Sequence, residues 1–298
     1  MFFKNVQLYR LPAPWGMTAE RLAEALASQA FAPAPSNELL RQGWASPREN
    51  GQLVHAANGQ FLLSLVTEKK ILPSKVINQV AKAKAAELEE QQGFPPGKKA
   101  MKELKERVAD ELLPRAFPAR DAVDVWIDPK HGWLVVNSST ASKADDVIKL
   151  LLNAVDRLPL ESLRVQSSPA AAMTAWLESD EAPHNFTIDQ DATLRATGES
   201  KSQIGYKRHT LDPEDMRRHI AAGKLCQRLA LTWNSRISFV LTDQLSIKAI
   251  KPLDVLKEND SVTFDQAERF DNDFTLMSGE LANLFADLVE ALGGEARG

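Results

Sequence analysis

Apolar and polar positions alternate along this chain with two periods, and the switches between them divide it into elements. Residues 3–11 (FKNVQLYRL) repeat every second position and predict a strand, which Pro12 and Pro14 end. Thr18 caps a helix to about Ala30, with Glu20 in its positive first turn and Leu22, Ala25 and Leu26 facing inward. Residues 31–37 form a proline-rich loop. Asn58-Gly59, between apolar runs at 53–57 and 60–66, predicts a hairpin, because a type I′ turn needs positive φ at both central residues.

The period then changes to helical over residues 71–120. Ile77, Ala81, Lys84 and Leu88 recur in a first helix, with Val76 and Val80 beside them; Met101, Leu104, Val108 and Leu112 recur in a second. Gly93-Phe94-Pro95-Pro96-Gly97 separates them, since proline lacks the N–H and glycine loses the most entropy on ordering. The stripes are narrow and the other faces are charged, so the pair is expected to project as a helical-hairpin arm. Glu87, Glu89 and Glu90 at the end of the first helix, and Lys98, Lys99 and Lys102 at the start of the second, each oppose their own macrodipole. An antiparallel hairpin would offset that cost by cross-helix pairing.

Strands at 123–128 and 133–139 follow, around a turn at 129–132. Ser142 with Asp145 reads as a capping box for a helix to about Leu158, and Ser168-Pro169 opens another to Glu178. Residues 186–197 read as strand and loop. Residues 201–210 are strand-like and basic, Asp212-Pro213 caps a short helix stopped by Gly223, and 225–233, 236–242 and 245–250 form an antiparallel meander. A short helix at 265–270 precedes a final helix capped by Ser278, with Leu281, Leu284, Phe285, Leu288 and Leu292 on one side and Gly293-Gly294 at its end. The implied class is α+β, with antiparallel sheets, packed helices and the projecting arm. Four segments are expected: 1–70, the N-terminal part of the body; 71–120, the arm; 121–200, the second hairpin and helices; and 201–298, the basic strand–helix, meander and final helix.

Composition changes this picture little. Charged residues at 26% and hydrophobic residues at 44% suit a soluble globular protein. No secretory leader and no membrane span are expected, and the single cysteine, Cys226, fits a reducing cytoplasm as a buried inert thiol. Charge changes it more. The net charge of −4 argues against a nucleic-acid partner, yet residues 254–298 carry 11 Asp+Glu against 3 Lys+Arg, net −8, leaving the rest at +4. Residues 66–120 hold 12 Lys+Arg against 8 Asp+Glu, and residues 201–228 hold 7 against 3. Two basic stretches beside an acidic tail fit an electrostatic footprint confined to one face.

No phosphate-loop, dinucleotide or nucleophile-elbow motif occurs, and His55, His131, His184, His209 and His219 lack metal-ligand spacing. Asp271 and Asp273 near Glu268 could hold magnesium for phosphodiester chemistry, or simply form an acidic loop. No catalytic residue, metal or cofactor is assigned. The positive signal is phosphate binding: Lys98, Lys102, Lys105, Arg115, Lys207 and Arg208 would neutralise a nucleic-acid backbone and release counterions. Phe117 would stack on a base, wedge at a strand opening, or latch against another subunit. The competing bland readings are a solvated charged hairpin and a charge-guarded edge strand.

These residues resemble one family. MFFKNVQLYRL at the start, HAANGQ at 55–60, EKKILPSKVI at 68–77, LLPRAF at 112–117, HIAAGKLCQRLALTW at 219–233 and FTLMSGELANLFADLVEALGGE at 274–295 together resemble the RdgC family of bacterial recombination-associated DNA-binding proteins. The resemblance covers essentially the whole chain. It implies a ring-shaped homodimer whose basic hole encircles double-stranded DNA without sequence preference, with single-stranded DNA as a second ligand. It also implies restraint of RecA-driven strand exchange and a nucleoid-associated location in the cytoplasm. Carried over by position, Leu113, Pro114 and Phe117 would form a dimer contact or gate, Arg115 and Phe117 would face DNA or the partner subunit, and Lys207 and Arg208 would face the hole. The family also carries an exonuclease label, so a metal-dependent exonuclease is the alternative; a structural dimer that never touches DNA is the second.

Overall fold

A computed structural model describes residues 2–12, 14–48, 50–198, 200–257 and 265–296. Part of the acidic C-terminal stretch, residues 258–264 and 297–298, lies outside the described residues. The class is α+β: two antiparallel sheets and, among the described residues, eight α-helices.

The larger sheet holds β1 (Gln7–Arg10), β2 (Leu40–Ala45), β3 (His55–Ala57), β4 (Gln60–Lys70), β5 (Pro118–Asp128), β6 (Trp133–Val136) and β7 (Glu161–Ser162), in the order β2-β4-β5-β6-β1-β7 with β3 on β4. Asn58 and Gly59 close the β3–β4 hairpin at φ 52° and 76°, as the Asn-Gly pair predicts. Strand β2 was not expected. Its sequence, LRQGWA, does not alternate, because it is a partly exposed edge. Gly43 is needed there: a Cβ would lie 2.6 Å from the Phe31 backbone, where residues 29–31 run alongside β2.

Both faces of this sheet are covered. On one, α1 (Ala19–Ala27) and α4 (Ala141–Ala154) bury Leu22, Leu26, Val147 and Leu151 against Leu63, Leu65, Val125, Ile127 and Val136. Helix α4 ends four residues before the expected Leu158, and the backbone of Thr140, not Ser142, sits at its N-cap. On the other face lies α8 (Gln266–Ala291). The expectation of a short helix and a separate final helix capped by Ser278 is corrected here. The helix is continuous over 26 residues, Asp265 caps it by accepting from the Ala267 N–H at 2.9 Å, and Ser278 is buried within it, its hydroxyl donating to the Thr275 carbonyl. The reason is the unbroken stripe Phe274, Met277, Leu281, Leu284, Phe285 and Leu288, which a break at Ser278 would misalign.

The second sheet holds β8 (Phe186–Ala196), β9 (Gln203–Tyr206), β10 (Lys224–Trp233), β11 (Ile237–Thr242) and β12 (Ile247–Pro252), in the order β12-β11-β10-β8-β9. Leu229, Leu231, Trp233, Ile237, Phe239 and Leu241 share one core with α8, with α5 (Pro169–Ser179) and with Met216 of α6 (Pro213–Ala221). That core reaches Trp126 and Trp133 of the larger sheet, whose rings lie 6.1 and 5.6 Å from Phe285. The sheets also meet through backbone: the Val6 N–H donates to the Ile247 carbonyl at 2.8 Å. A short helix, α7 (Asp254–Lys257), follows β12. Helices α2 (Ser74–Gln92) and α3 (Lys98–Leu112) stand between β4 and β5 in the chain and pack on each other around their own small cluster.

Candidate nucleic-acid interface

The helix pair forms as the spacing predicts. Ala81, Ala85, Leu104 and Val108 are buried between α2 and α3, and Gly93 ends α2 in the left-handed region at φ 79°, its N–H on the Glu89 carbonyl. One cross-helix ion pair binds the two, Lys84 Nζ to Glu111 Oε2 at 2.5 Å, and that bond holds the Glu111 carboxyl below its ordinary range. The expected pairing of Glu87, Glu89 and Glu90 with Lys98, Lys99 and Lys102 is not formed among the described residues. These groups are exposed, where water competes well with an ion pair between long side chains. Lys102 instead reaches Glu106 of its own helix at 3.8 Å. Lys98 and Lys105 are exposed with no ion pair among the described residues, and both flank the packed stripe of α3.

At the foot of the pair the chain tightens into a 3-10 turn over Leu113–Arg115, with Pro114 in its first half. Leu113 is half-buried, while Pro114 and Arg115 are exposed. Phe117 is 81% exposed, a large cost for a phenyl ring unless something covers it. Its carbonyl accepts the Ile71 N–H at 2.8 Å, so both strands of the foot are fixed in backbone while the ring stands free.

Beneath them lie two buried charges that the sequence reading passed over. Lys70, 8% exposed, donates Nζ to the carbonyls of Ser36 at 2.8 Å and Leu113 at 3.1 Å. Glu68 accepts from the Ala34 N–H at 2.9 Å and from Arg120 Nε at 2.7 Å. The signal was available: β4 does not stop at Val66, and positions 66, 68 and 70 continue its period of two.

Lys207 and Arg208 leave the free edge of the second sheet just after β9, both exposed. Arg208 takes φ 50°, and its N–H donates to Asp191 Oδ1 at 2.6 Å. It borders an open hollow of about 560 Å3 whose lining includes Asp189, Asp191, Ser238, Val240 and Lys251. Tyr206 and His209, neighbours in the same basic run, are engaged within the protein: the Tyr206 hydroxyl lies 3.1 Å from His219 Nε2, and His209 Nδ1 lies 2.8 Å from the Thr210 carbonyl oxygen. No hydrogen bond or ion pair joins Lys207 or Arg208 to Lys98, Lys102, Lys105, Arg115 or Phe117 among the described residues. The predicted cations thus form two groups, one on the helix pair and one at a sheet edge.

The carboxylates considered for metal chemistry do not converge. Asp271 Oδ1 is bound to Arg48 Nη1 at 2.9 Å and lies 3.4 Å from His55 Nε2. Among the described residues no group of three or more His, Cys, Asp or Glu side chains could hold a metal ion. His131 is held by the wholly buried Asp128, Nδ1 to Oδ2 at 2.7 Å, and Asp128 also caps the turn by accepting the Lys130 and His131 N–H groups. Cys226 is buried, and burial pushes its thiol up to about 12. No helix among the described residues is long and apolar enough to cross a membrane.

Two antiparallel sheets that share one helical core, with a charged helix pair inserted between β4 and β5, define an α+β protein. The comparisons with known proteins agree on the family. The model described as "Putative exonuclease, RdgC" matches residues 1–295. The chain is 61% identical over 296 residues to the recombination-associated protein RdgC of Janthinobacterium sp. (strain Marseille), covering 99% of both chains. It is 57% identical over 298 residues to that of Cupriavidus necator and 56% identical over 298 residues to that of Bordetella pertussis, covering 100% of each. This chain belongs to the RdgC family, a family of recombination-associated proteins.

Proposed function

We propose that this protein binds DNA without sequence preference, closes as a ring-shaped homodimer around the duplex, and so restrains RecA-mediated strand exchange. The observation that carries the reading is the set of exposed cations with no ion pair among the described residues: Lys98, Lys105, Arg115, Lys207 and Arg208. Charges left open to solvent can release condensed counterions from a polyanion, whereas charges already paired gain less. Family membership among recombination-associated proteins supports the same ligand. In this reading α2 and α3 form a projecting arm at 71–120, flanked by body segments 1–70, 121–200 and 201–298. Leu113, Pro114 and Phe117 form a gate between protomers, and single-stranded DNA is a secondary ligand. The location is nucleoid-associated, in the cytoplasm.

The reading resolves the net charge of −4: a protein acidic overall can hold DNA if its cations line a hole and its carboxylates face outward. Closure adds topological retention, so modest contacts give persistent binding. A two-fold dimer that closes a ring needs two isologous contacts, one at each end of the protomer.

The test is binding to a fluorescent duplex, linear against covalently closed circular, over a salt series without magnesium. Retention on the circle at high salt, lost on linearisation, is expected. Equal and steeply salt-sensitive binding to both would remove the ring. No binding to either would leave the structural dimer. The family's description favours a second reading, an exonuclease. It predicts magnesium-dependent release of nucleotides that disappears in the Asp271→Asn, Asp273→Asn double variant.

A further inference from the structure

The two sheets differ in one respect that bears on where DNA lies. The larger is covered on both faces, whereas among the described residues the five-stranded sheet is covered on one only, by α5, α6 and α8. Antiparallel sheets tolerate an open face when it is polar, and this one is.

Cross-strand register identifies its occupants, because residues directly opposite share a face. Thr232 of β10 faces Ser238 of β11, and Ser238 faces Lys251 of β12. One step along, Ala230 faces Val240, and Val240 faces Lys248. At the next, Arg228 lies opposite Thr242 and Thr193. Arg195 of β8 follows on the same side, opposite the exposed Leu225.

Lys248 and Lys251 are three apart, an odd spacing that a regular strand would send to opposite faces. A β-bulge prevents this. The register shifts between Ser238 and Val240, so that Ala249 and Ile250 together oppose Phe239, with Ala249 at φ 52°. The extra residue restores both lysines to the open side, the re-aiming that bulges commonly serve. Asn5 braces it, its Oδ1 accepting the Ala249 N–H at 3.2 Å.

The centre of the face is low, set by Ala230, Ser238 and Thr232, and the cations Arg195, Arg208, Arg228, Lys248 and Lys251 surround it. None of the five forms an ion pair among the described residues. The opposing carboxylates are Asp189 and Asp191. Asp189 accepts the Thr232 hydroxyl at 2.9 Å and its carboxyl is pushed up by burial, while Asp191 is engaged by the Arg208 N–H. Cations two strands apart are separated by roughly 10 Å, twice the strand spacing. A shallow surface ringed by such charges fits a broad polyanionic cylinder rather than a small ligand.

We infer that the open face of the five-stranded sheet is a backbone-contacting surface for double-stranded DNA, with Lys248, Lys251, Arg228 and Arg195 as phosphate contacts beside Arg208. This rests on the DNA-binding reading above and extends it to residues outside the two basic stretches. Such contacts position the duplex and carry no sequence information.

The full-length protein with Lys248→Ala and Lys251→Ala is titrated with a fluorescent duplex from low to moderate salt. Arg228→Ala on another strand is a second variant, and Lys149→Ala on the exposed side of α4 is a control. Because a dimer that surrounds the duplex carries each substitution twice, the double variant is expected to lower the slope of log affinity against log salt by roughly 4, and Arg228→Ala by roughly 2, equally for duplexes of different sequence. The control is expected to bind as the wild type does. Unfolding curves confirm that each variant is folded, which an exposed Lys251 and a half-buried Lys248 on the open side of a sheet permit. An unchanged slope in folded variants, with a wild type that binds, overturns this surface alone. A wild type that fails to bind duplex at any salt overturns the DNA reading and the inference with it. Unchanged binding with an altered sedimentation coefficient would assign the face to a second copy of the chain and also overturn it.

Discussion

The ammonium of Lys70 donates to the carbonyl of Leu113 at 3.1 Å, tying the strand that enters the helix pair to the turn that leaves it. The same ammonium holds the Ser36 carbonyl at 2.8 Å, so one buried cation joins three segments. Replacing it with methionine keeps the volume, removes the Lys70 donor from the Ser36 carbonyl and leaves the Leu113 carbonyl with the Ala116 N–H. Lys70→Met is expected to destabilise the fold by about 1–3 kcal/mol, the worth of hydrogen bonds to a charged group. Urea unfolding measures it, and a change within a few tenths of a kcal/mol would show that water replaces the ammonium.

Glu68, beside it, gives the foot a pH dependence. The hydrogen bond from Arg120, then that from Ala34, holds its carboxyl below the ordinary range. A carboxyl depressed in the folded state stabilises fully above the unfolded value, about 4.3, and loses that contribution as pH falls through the lower folded value. Glu68→Gln is therefore expected to flatten the acid limb of the stability curve below about pH 4 and to leave its shape at neutral pH unchanged. An acid limb identical to the wild type would remove Glu68 from this role.

His55 works over a higher window. Its ring lies edge-on to Phe270 and Phe274 of α8, at 5.0 and 5.5 Å between centroids. Burial lowers its basicity, Asp271 partly offsets this, and Arg48 adds to it. The neutral ring is the one the fold prefers, so the contribution is complete above about pH 6.5 and is lost as pH falls through the lower folded value. Acidification from pH 7 to pH 5 is expected to lower the hydrogen-exchange protection factors, referred to the intrinsic rate at each pH, at the start of α8. A His55→Phe variant that retained the same pH-dependent exchange would refute the assignment.

Phe117 separates the two uses proposed for the foot. Phe117→Ala is expected to weaken ring closure or DNA grip while sparing stability, because the ring is 81% exposed and buries little within its own chain. Sedimentation with and without DNA tells the two apart. An unchanged result in both would delete it from the interface. Arg208→Glu is expected to weaken binding equally across sequences, and a loss confined to some sequences would replace phosphate contact with base readout.

Cys226 is expected to stay unmodified by iodoacetamide in the native protein at pH 8, since burial pushes its thiol up to about 12 and leaves little thiolate. Rapid labelling, followed by intact mass, would show that the second sheet opens readily.

Local rules carried far here. Asn58-Gly59 dictated its hairpin, Gly93 to Gly97 broke the helix pair, and Asp212-Pro213 capped α6, because each acts through backbone geometry within a few residues. The cations on α3 and after β9 were legible for the same reason: exposed charge needs no partner to be recognised. The chain alone thus determined where most strands and helices lie, the class of fold, and the family.

What it could not determine rests on contacts between distant segments. Edge strand β2 shows no alternation and exists because β4 pairs with it. Helix α8 runs unbroken through Ser278 because two sheets demand one continuous apolar stripe. Glu68 and Lys70 read as ordinary surface charge until Arg120, Ala34, Ser36 and Leu113 close over them. The bulge at Ala249 depends on the register of β11 against β12, and register alone decides whether Lys248 and Lys251 share a face. Sequence periodicity is a property of one segment, whereas burial, partner choice and register are properties of two or more, and only the tertiary structure supplies the second.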